Sequence, residues 1–411
     1  MKLSIIIPTR ERIQYLRESV KTALAVDDPN VEIIVSDNAS QDDTYEVLSK
    51  INDPRFKYVN TGQRVSMRAN FENGLKHSTG DYIMFFGDDD GVLPRQIPIL
   101  KKILSNENPD VLKWPLVRYG WPVDGNAKTG GVRFKKSSLF GSVDTINVTK
   151  LSQELVDCNL KSEEYYPALY HGVVSRSYLD SLKTSDGQFF NCTIPDIFFS
   201  YLSLLKGGKL MYCDHPFTLN GYSPASNGGS QKQIALGNEV PEIAAKFMAE
   251  NAIDKNLDVA DFGANIAAVF FLSLETARVI GGIDKARINY AAWFEFIVEN
   301  AHKMTPKLRA ELVQSLKQYA KSINKLDLLD TALKMPRKRH SKLAKLKSKI
   351  RENSLKIGSV RFSCDKGAQN TIFTAVQACD DLIGDDQDAV YTKTQSRKAA
   401  WNALKQRYYV L

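Results

Sequence analysis

Cysteine is scarce in this sequence and badly placed for pairing: Cys158, Cys192, Cys213, Cys364 and Cys379 are scattered through 411 residues with no C-x-x-C pair. The odd count and wide spacing exclude a disulfide framework and a zinc knuckle, and predict reduced, structural thiols. Long apolar runs are missing as well. Nothing approaches the roughly 20 consecutive apolar residues that span a bilayer. The N-terminal run Leu3 to Ile7 is too short for a signal peptide and lacks a small-residue cleavage site, so the expected location is the cytoplasm. No internal repeat is visible, and no Gly-rich phosphate-cradling loop follows the first strand. Acidic residues are absent from one segment, Lys334 to Arg351, which holds nine of the Lys and Arg residues behind the formal charge of +8.

The apolar and charged fractions, 43% and 25%, are those of a soluble globular protein, long enough for two or three domains. The first hundred residues alternate strand and helix patterns. Leu3 to Ile7 reads as a strand closed by Pro8, and Ile13, Leu16, Val20 and Leu24 recur at helical spacing. Val31 to Ser36 reads as a second strand, Ser40-x-x-Asp43 as a capping box for a helix carrying Val47, Leu48 and Ile51, and Phe56 to Val59 as a third strand. A helix through Asn70 to Leu75 follows, then a fourth strand, Tyr82 to Phe86. This alternation predicts an α/β fold with a mostly parallel sheet flanked by helices.

Beyond Val117 the pattern shifts to hairpins and loops, then to a strand at Tyr170 to Ser175, a helix at Pro195 to Leu205, a closing strand at Met211 to Cys213 and a loop from Asn220 to Ser230. From 231 to 335 the pattern is helical. The predicted division is therefore 1–230 as the α/β domain, with halves 1–110 and 111–230, then a helical region 231–335 and a basic C-terminal region 336–411. Leu343, Leu346 and Ile350 lie on one face of a Lys-rich helix, which suits an anionic membrane surface and peripheral attachment. A solvated helix face is an equal alternative. Nucleic acid is not an expected partner, because no aromatic residues interleave the basic ones.

The chemistry concentrates in three loops at the C-terminal ends of the first, second and fourth strands: Pro8-Thr9-Arg10-Glu11-Arg12, Asp37-Asn38-Ala39-Ser40, and Gly87-Asp88-Asp89-Asp90-Gly91. An open α/β sheet gathers such loops into one crevice. Three adjacent buried carboxylates repel one another, so a hard divalent cation is the natural compensation.

Together these motifs resemble glycosyltransferase family two, the inverting family with the GT-A (Rossmann-like) fold. The resemblance covers roughly residues 2–230 and is most specific before Pro94. It implies that Pro8, Thr9, Arg10 and Arg12 wrap the nucleotide of a nucleotide-sugar donor, with Arg10 where many members carry an aromatic. It also implies that Asp37, beside Asn38, accepts a hydrogen bond from the base, and that Asp88 serves the ribose or stands behind the metal. Asp89, with Asp90, would hold Mn²⁺ or Mg²⁺. The chain departs from the family spelling at Gly87, where an acid is usual. Arg64 and Arg68 precede the fourth strand and are candidate phosphate ligands, Arg68 the one retained, although for either alone a solvated surface arginine is the commoner reading. Asp196, in the first helical turn after Pro195, is the candidate general base, and a dipole-stabilised helix charge is its alternative. His171 and His215 read as hydrogen-bonded core residues rather than ligands, and the loop from Gly221 to Gly228 as a lid or an ordinary surface loop.

The resemblance thus implies transfer of a sugar, from a UDP-sugar by preference, to a glycan or lipid-linked acceptor in surface polysaccharide synthesis. A non-catalytic scaffold on the same fold is the alternative. A sugar-1-phosphate nucleotidyltransferase is disfavoured because the first loop lacks glycines.

Overall fold

The computed structural model describes residues 1–123, 129–185, 187–224, 249–250, 262, 265–336, 359–363 and 369–408. The N-terminal elements follow the predicted alternation: β1 (Leu3–Thr9), α1 (Ile13–Leu24), β2 (Val31–Asp37), α2 (Thr44–Leu48), β3 (Phe56–Asn60), α3 (Met67–Lys76) and β4 (Tyr82–Phe85). Then come β5 (Gly91–Val92), α4 (Ile97–Glu107), β6 (Val111–Lys113), β7 (Val117–Gly120), β8 (Gly131–Lys135), β9 (Val143–Thr145) and α5 (Val148–Val156). They are followed by β10 (Gly172–Ser175), α6 (Arg176–Ser181), α7 (Pro195–Lys206), β11 (Leu210–Cys213) and β12 (Thr218–Tyr222). Four helices succeed these: α8 (Ile266–Ile280), α9 (Tyr290–Ala301), α10 (Pro306–Ser322) and α11 (Leu326–Lys334). Last come β13 (Ser359–Ser363), α12 (Ile372–Ile383), α13 (Asp386–Tyr391) and α14 (Arg397–Tyr408).

Eight strands form the main sheet in the order β3-β2-β1-β4-β10-β6-β11-β9. The pairs β1–β2, β1–β4, β2–β3 and β6–β11 are parallel, while β10 runs antiparallel between β4 and β6. Side chains alternate across this sheet, as the strand period demands. Ile6, Ile34, Ile83 and Phe85 enter one apolar cluster with Phe71, Phe190 and Phe198. Ile5, Ile7, Ile33, Val35, Met84 and Phe86 enter the other, with Leu16, Val20, Leu100 and Ile103. Both faces are covered, so the strands are apolar throughout rather than alternating with polar residues.

The helical region shares a core with the sheet. Phe271, Trp293, Phe294 and Leu316 belong to the same cluster as Phe71 and Phe198. Within it Glu275 is fully buried and takes hydrogen bonds from Arg278 and from the hydroxyls of Tyr290 and Tyr319, so its charge is compensated on the spot. Among the described residues, no helix is long and apolar enough to cross a membrane.

Three local expectations change. Ser40 does not cap α2: the helix begins after Asp43, which makes no side-chain cap bond, and Ser40 instead donates to Asp37. Ile51 lies past the end of that helix. The stretch expected as a loop from Asn220 opens as strand, since β12 pairs parallel with β7 and antiparallel with β5. The basic helix and the second half of the proposed lid fall within 337–358 and 225–248, outside the described residues.

The last sixty residues, rich in polar positions, read from the sequence as folding against the helical region or hanging loosely from it, and the described part of them lies elsewhere. β13 completes a second sheet in the order β13-β8-β7-β12-β5, and α12 packs on α1 and β5. Ile372, Val376, Leu382 and Leu404 close a third apolar cluster with Tyr119, Val132, Phe134 and Leu219. The tail therefore packs on the N-terminal α/β part beside the acidic motif, not on the helical region. Its apolar residues are too widely spaced for the sequence pattern to announce their partner.

Candidate active site

Strands β1 and β4 are hydrogen-bonded neighbours, so the loops at their C-terminal ends must meet. Arg12, from the first loop, bridges the acidic pair: Nη1 lies 3.0 Å from Asp88 Oδ1 and Nη2 lies 2.8 Å from Asp89 Oδ2. Thr9 donates to Asp88 Oδ2 at 2.7 Å. Ser223, just past β12, donates to Asp89 Oδ2 at 2.6 Å and accepts from Arg12 at 2.7 Å. The guanidinium also sits over the Tyr15 ring, which packs edge-on against Trp121. Trp121 in turn donates to the Asp89 carbonyl at 2.8 Å.

The electrostatics are strained. Burial pushes the Asp88 carboxyl up to about 7, with Arg12 opposing and Asp89 adding to the rise. Asp89 is raised for the same reason, burial, against the pull of Arg12. Burial works against the charge of Arg12 too, but the two carboxylates outweigh it and keep it protonated. One cation thus serves a pair of desolvated anions, and the deficit is what a second cation would fill.

Asp90, expected beside Asp89 at a metal, is engaged within the protein. It is fully buried, and both of its oxygens are taken by protein donors. The Gly87 amide and the Tyr170 hydroxyl donate to Oδ2, each at 2.7 Å, and His171 Nε2 lies 3.1 Å from the same atom. The Gly221 amide donates to Oδ1 at 2.7 Å and Asn220 at 3.3 Å. Burial disfavours the charge of Asp90, yet His171 and these donors hold its pKa below the usual range. Its task is to tie the acidic turn to β10 and β12. His171 reaches it because its backbone takes the left-handed conformation, φ 51°, directly before β10. The ring is also fixed on its other side, with Nδ1 at 2.8 Å from Thr218 Oγ1. His215, as predicted, is an interior residue, at 3.0 Å from Gln96 Oε1.

Asp196 stands in the first turn of α7, close enough to Tyr170, His171 and Lys113 to influence them electrostatically. Burial raises its pKa, opposed by the amides of the helix N-terminus and by Lys113. Lys113, at the end of β6, is drawn down to about 8 by burial against the pull of Asp196. Its Nζ donates to the His171 carbonyl at 3.3 Å. Asp196 thus shares an electrostatic neighbourhood with Tyr170 and His171, the two side chains that hold Asp90.

Other site candidates are engaged within the protein. Pro8 sits in register with Ser36 on β2. Asp37 accepts from Ser40, from the Tyr58 hydroxyl at 2.5 Å and from Asn60 at 3.1 Å. The Asn38 amide is spent on Val65, accepting from its N–H at 2.9 Å and donating to its carbonyl at 2.8 Å, so it clamps a loop instead of facing a ligand. Arg10 pairs with Glu250, and Arg64 pairs with Glu11. Arg68 is buried and donates to Gln188 Oε1 at 2.7 Å and the Phe190 carbonyl at 3.0 Å, which anchors that turn.

The sequence reading missed Lys113, Trp121, Asn220 and Ser223. Lys113 left one signal, a lysine inside the apolar strand Val111-Leu112-Lys113-Trp114. The others left none: Trp121 touches the motif from 32 residues away, and Asn220 and Ser223 from 130 and 134, beyond the reach of any local pattern.

Among the described residues, no three His, Cys, Asp or Glu side chains converge as a ready metal cage. Two adjacent hard carboxylates do suit Mg²⁺ or Mn²⁺ of the kind that a substrate's phosphate oxygens and water complete. Asp88 and Asp89, whose partner Arg12 reaches them on a long side chain able to exchange contacts, are the candidates for that role, while Asp90 is tied to the amides of Gly87 and Gly221.

Residues 4–152 match the model of glycosyl transferase family 2. A relative from Campylobacter jejuni, "GalNAc(5)-diNAcBac-PP-undecaprenol beta-1,3-glucosyltransferase", is 38% identical over 95 residues, 22% of this chain and 31% of that protein. The Escherichia coli protein "UDP-Glc:alpha-D-GlcNAc-diphosphoundecaprenol beta-1,3-glucosyltransferase WfaP" is 32% identical over 21% of this chain and 35% of its own length. "Abequosyltransferase RfbV" of Salmonella typhimurium is 31% identical over 26% of this chain and 34% of its own length. The chain spans about a third of the length of these curated relatives.

Proposed function

The chain carries a domain of glycosyl transferase family 2 at residues 4–152, and from that premise we propose that it transfers a sugar from a nucleotide-sugar donor to a lipid-linked glycan acceptor with inversion. The observation that supports the reading is the under-compensated pair Asp88 and Asp89, buried at the C-terminal edge of two parallel strands. The printed names of the relatives, with UDP-glucose in one and diphosphoundecaprenol or PP-undecaprenol acceptors in two, support a UDP-sugar donor and a diphosphate-linked acceptor. Peripheral attachment to the membrane carrying such an acceptor belongs to the same proposal.

Asp89, seconded by Asp88, would hold Mn²⁺ or Mg²⁺, which when bound neutralises charge on the departing diphosphate. Arg12 bridges both carboxylates in this structure, so it keeps the pair from repelling and is placed to exchange its contacts for phosphate. Thr9 orients Asp88, and Ser223 orients Asp89. Asp196 accepts the proton of the acceptor hydroxyl as that oxygen attacks the anomeric carbon from the side opposite the diphosphate. Burial raises its pKa, which favours its taking a proton, while the amides of the helix N-terminus and Lys113 oppose that rise.

The test is a panel of nucleotide sugars assayed with and without Mn²⁺ for thermal stabilisation and for slow donor hydrolysis. At least one UDP-sugar should stabilise the protein and be hydrolysed, and Asp89→Ala should abolish metal-dependent release of the nucleoside diphosphate. A flat panel, or an Asp89→Ala protein with undiminished hydrolysis, refutes the reading.

A further inference from the structure

The second sheet carries three arginines in one row. Arg118 on β7 is registered with Arg133 on β8, and Arg133 with Arg361 on β13. Residues directly opposed on neighbouring strands point to the same face, and like charges so placed cost stability. The opposite face is apolar, with Tyr119, Val132 and Phe134 buried against the C-terminal helices, so the arginines lie on the outer side. Arg118 and Arg361 are exposed, and Arg133 is half-buried. Among the described residues no carboxylate pairs with any of the three. Partial burial and the charges of Arg361 and Arg118 lower the pKa of Arg133, as like charges set side by side do.

The row also has a direction. Arg118 is registered with Asn220 on β12, and Asn220 donates to Asp90 in the acidic turn. At about 4.8 Å per strand, Arg118, Arg133 and Arg361 lie roughly 5, 10 and 14 Å from Asn220 along the sheet. The row thus starts one strand from the residue that donates to Asp90 and runs across the second sheet to its edge strand β13.

We propose that Arg118, Arg133 and Arg361 bind the diphosphate of the acceptor. The proposal rests on the transferase reading and adds to it where the acceptor's anionic end sits. Planar guanidinium groups one strand apart match two linked phosphates, since each can take two phosphate oxygens at once. The distance from the motif leaves room for one or two sugar units between the bound diphosphate and the hydroxyl that attacks. A donor diphosphate would lie at Asp88 and Asp89, so the two anions occupy different places.

The test compares two acceptors bearing the same sugar, one on a short water-soluble prenyl diphosphate and one on a phosphate-free alkyl glycoside. Arg133→Ala should raise KM for the diphosphate acceptor by about tenfold or more, the loss of a charge-assisted hydrogen bond. The Arg118→Ala/Arg133→Ala/Arg361→Ala protein should raise it further. KM for the donor, slow donor hydrolysis and transfer to the alkyl glycoside should stay unchanged, and Arg133→Lys should recover part of the loss. Because removing like charges relieves repulsion, the triple variant should melt no lower than the parent. An unchanged KM for the diphosphate acceptor, or an equal loss with both acceptors, overturns the proposal. So does loss of binding to phosphatidylglycerol vesicles with the soluble acceptor unaffected, which would make the row a lipid-headgroup surface. Titration with inorganic pyrophosphate reads the row independently of turnover. Failure of the transferase reading would appear separately, as absence of donor hydrolysis in the unaltered protein.

Discussion

Changing Asp90 to asparagine separates scaffold from chemistry inside a run of three identical residues. The Asp90 carboxylate takes three hydrogen bonds at 2.7 Å, from the amides of Gly87 and Gly221 and the hydroxyl of Tyr170. Asparagine keeps one acceptor oxygen and places an NH₂ where the other was. With the oxygen kept on Gly221, the Gly87 N–H loses its partner, while the Tyr170 hydroxyl can rotate and accept. A buried donor left unsatisfied costs about 1–3 kcal/mol, and the surviving bonds lose the roughly 1 kcal/mol that the charge adds. The total is about 3 kcal/mol, which for a chain of 411 residues lowers Tm by roughly 3–4 °C. Asp89→Asn should behave oppositely. Its charge is disfavoured by burial, so the neutral amide should leave Tm level or slightly higher while donor hydrolysis is lost. Calorimetric melts of both variants without added metal, at one pH near 7.5, provide the comparison. An Asp90→Asn protein that melts with the parent, beside an Asp89→Asn protein that melts far below it, would refute the division of labour assigned here.

Asp196→Asn should lower kcat by about 10²–10⁴-fold, the range for loss of a general base, with donor KM unchanged; steady-state kinetics decide it, and a rate within threefold of the parent, by the same scale, counts against the base. Gly221→Ala should destabilise strongly and abolish transfer, because the added Cβ would stand 1.7 Å from the Asp89 carbonyl oxygen and would also crowd Trp121 Nε1; a melt like the parent's would contradict the close approach. Asp380 on α12, 4% exposed, gives a pH test. Burial raises its carboxyl to about 7 against hydrogen bonds from the Arg95 amide and Gln96. The folded state therefore holds a proton that the unfolded chain releases above about 4, and this group makes stability fall as pH rises from about 4 to about 7. Asp380→Asn should remove that slope, gaining at most about 4 kcal/mol over the parent at pH 8 and nothing near pH 4, at about 1.4 kcal/mol per unit. Urea unfolding at the two pH values would show parallel curves if the assignment is wrong.

Local pattern carried the first third of the molecule because its elements are contiguous and both-face-buried. Leu3 to Ile7, Val31 to Ser36 and Tyr82 to Phe86 are apolar at every position but the ends, or nearly so, and each is followed by a helix with three-and-four spacing. Once three parallel strands are granted, the meeting of Thr9, Arg12 and the acidic run follows from topology. The capping box at Ser40 misled, because a hydroxyl three residues before an acid also suits an Asp-based turn, and Asp37 was the nearer partner.

Adjacent aspartates with the same chemistry were separated by partners that lie far along the chain. Asp88 and Asp89 turn to Arg12, while Asp90 turns to Tyr170, His171, Asn220 and Gly221. The sequence by itself determined the α/β order, the position of the acidic run at a strand end and the residues able to hold charge there. Only the tertiary structure decided which carboxylate became scaffold, that β12 and the C-terminal helices would brace the motif, and that three arginines would stand in one row. The physical reason is the range of each signal. Periodicity is written within ten to twenty residues, whereas desolvation and hydrogen bonding at Asp90 depend on groups up to 131 positions away.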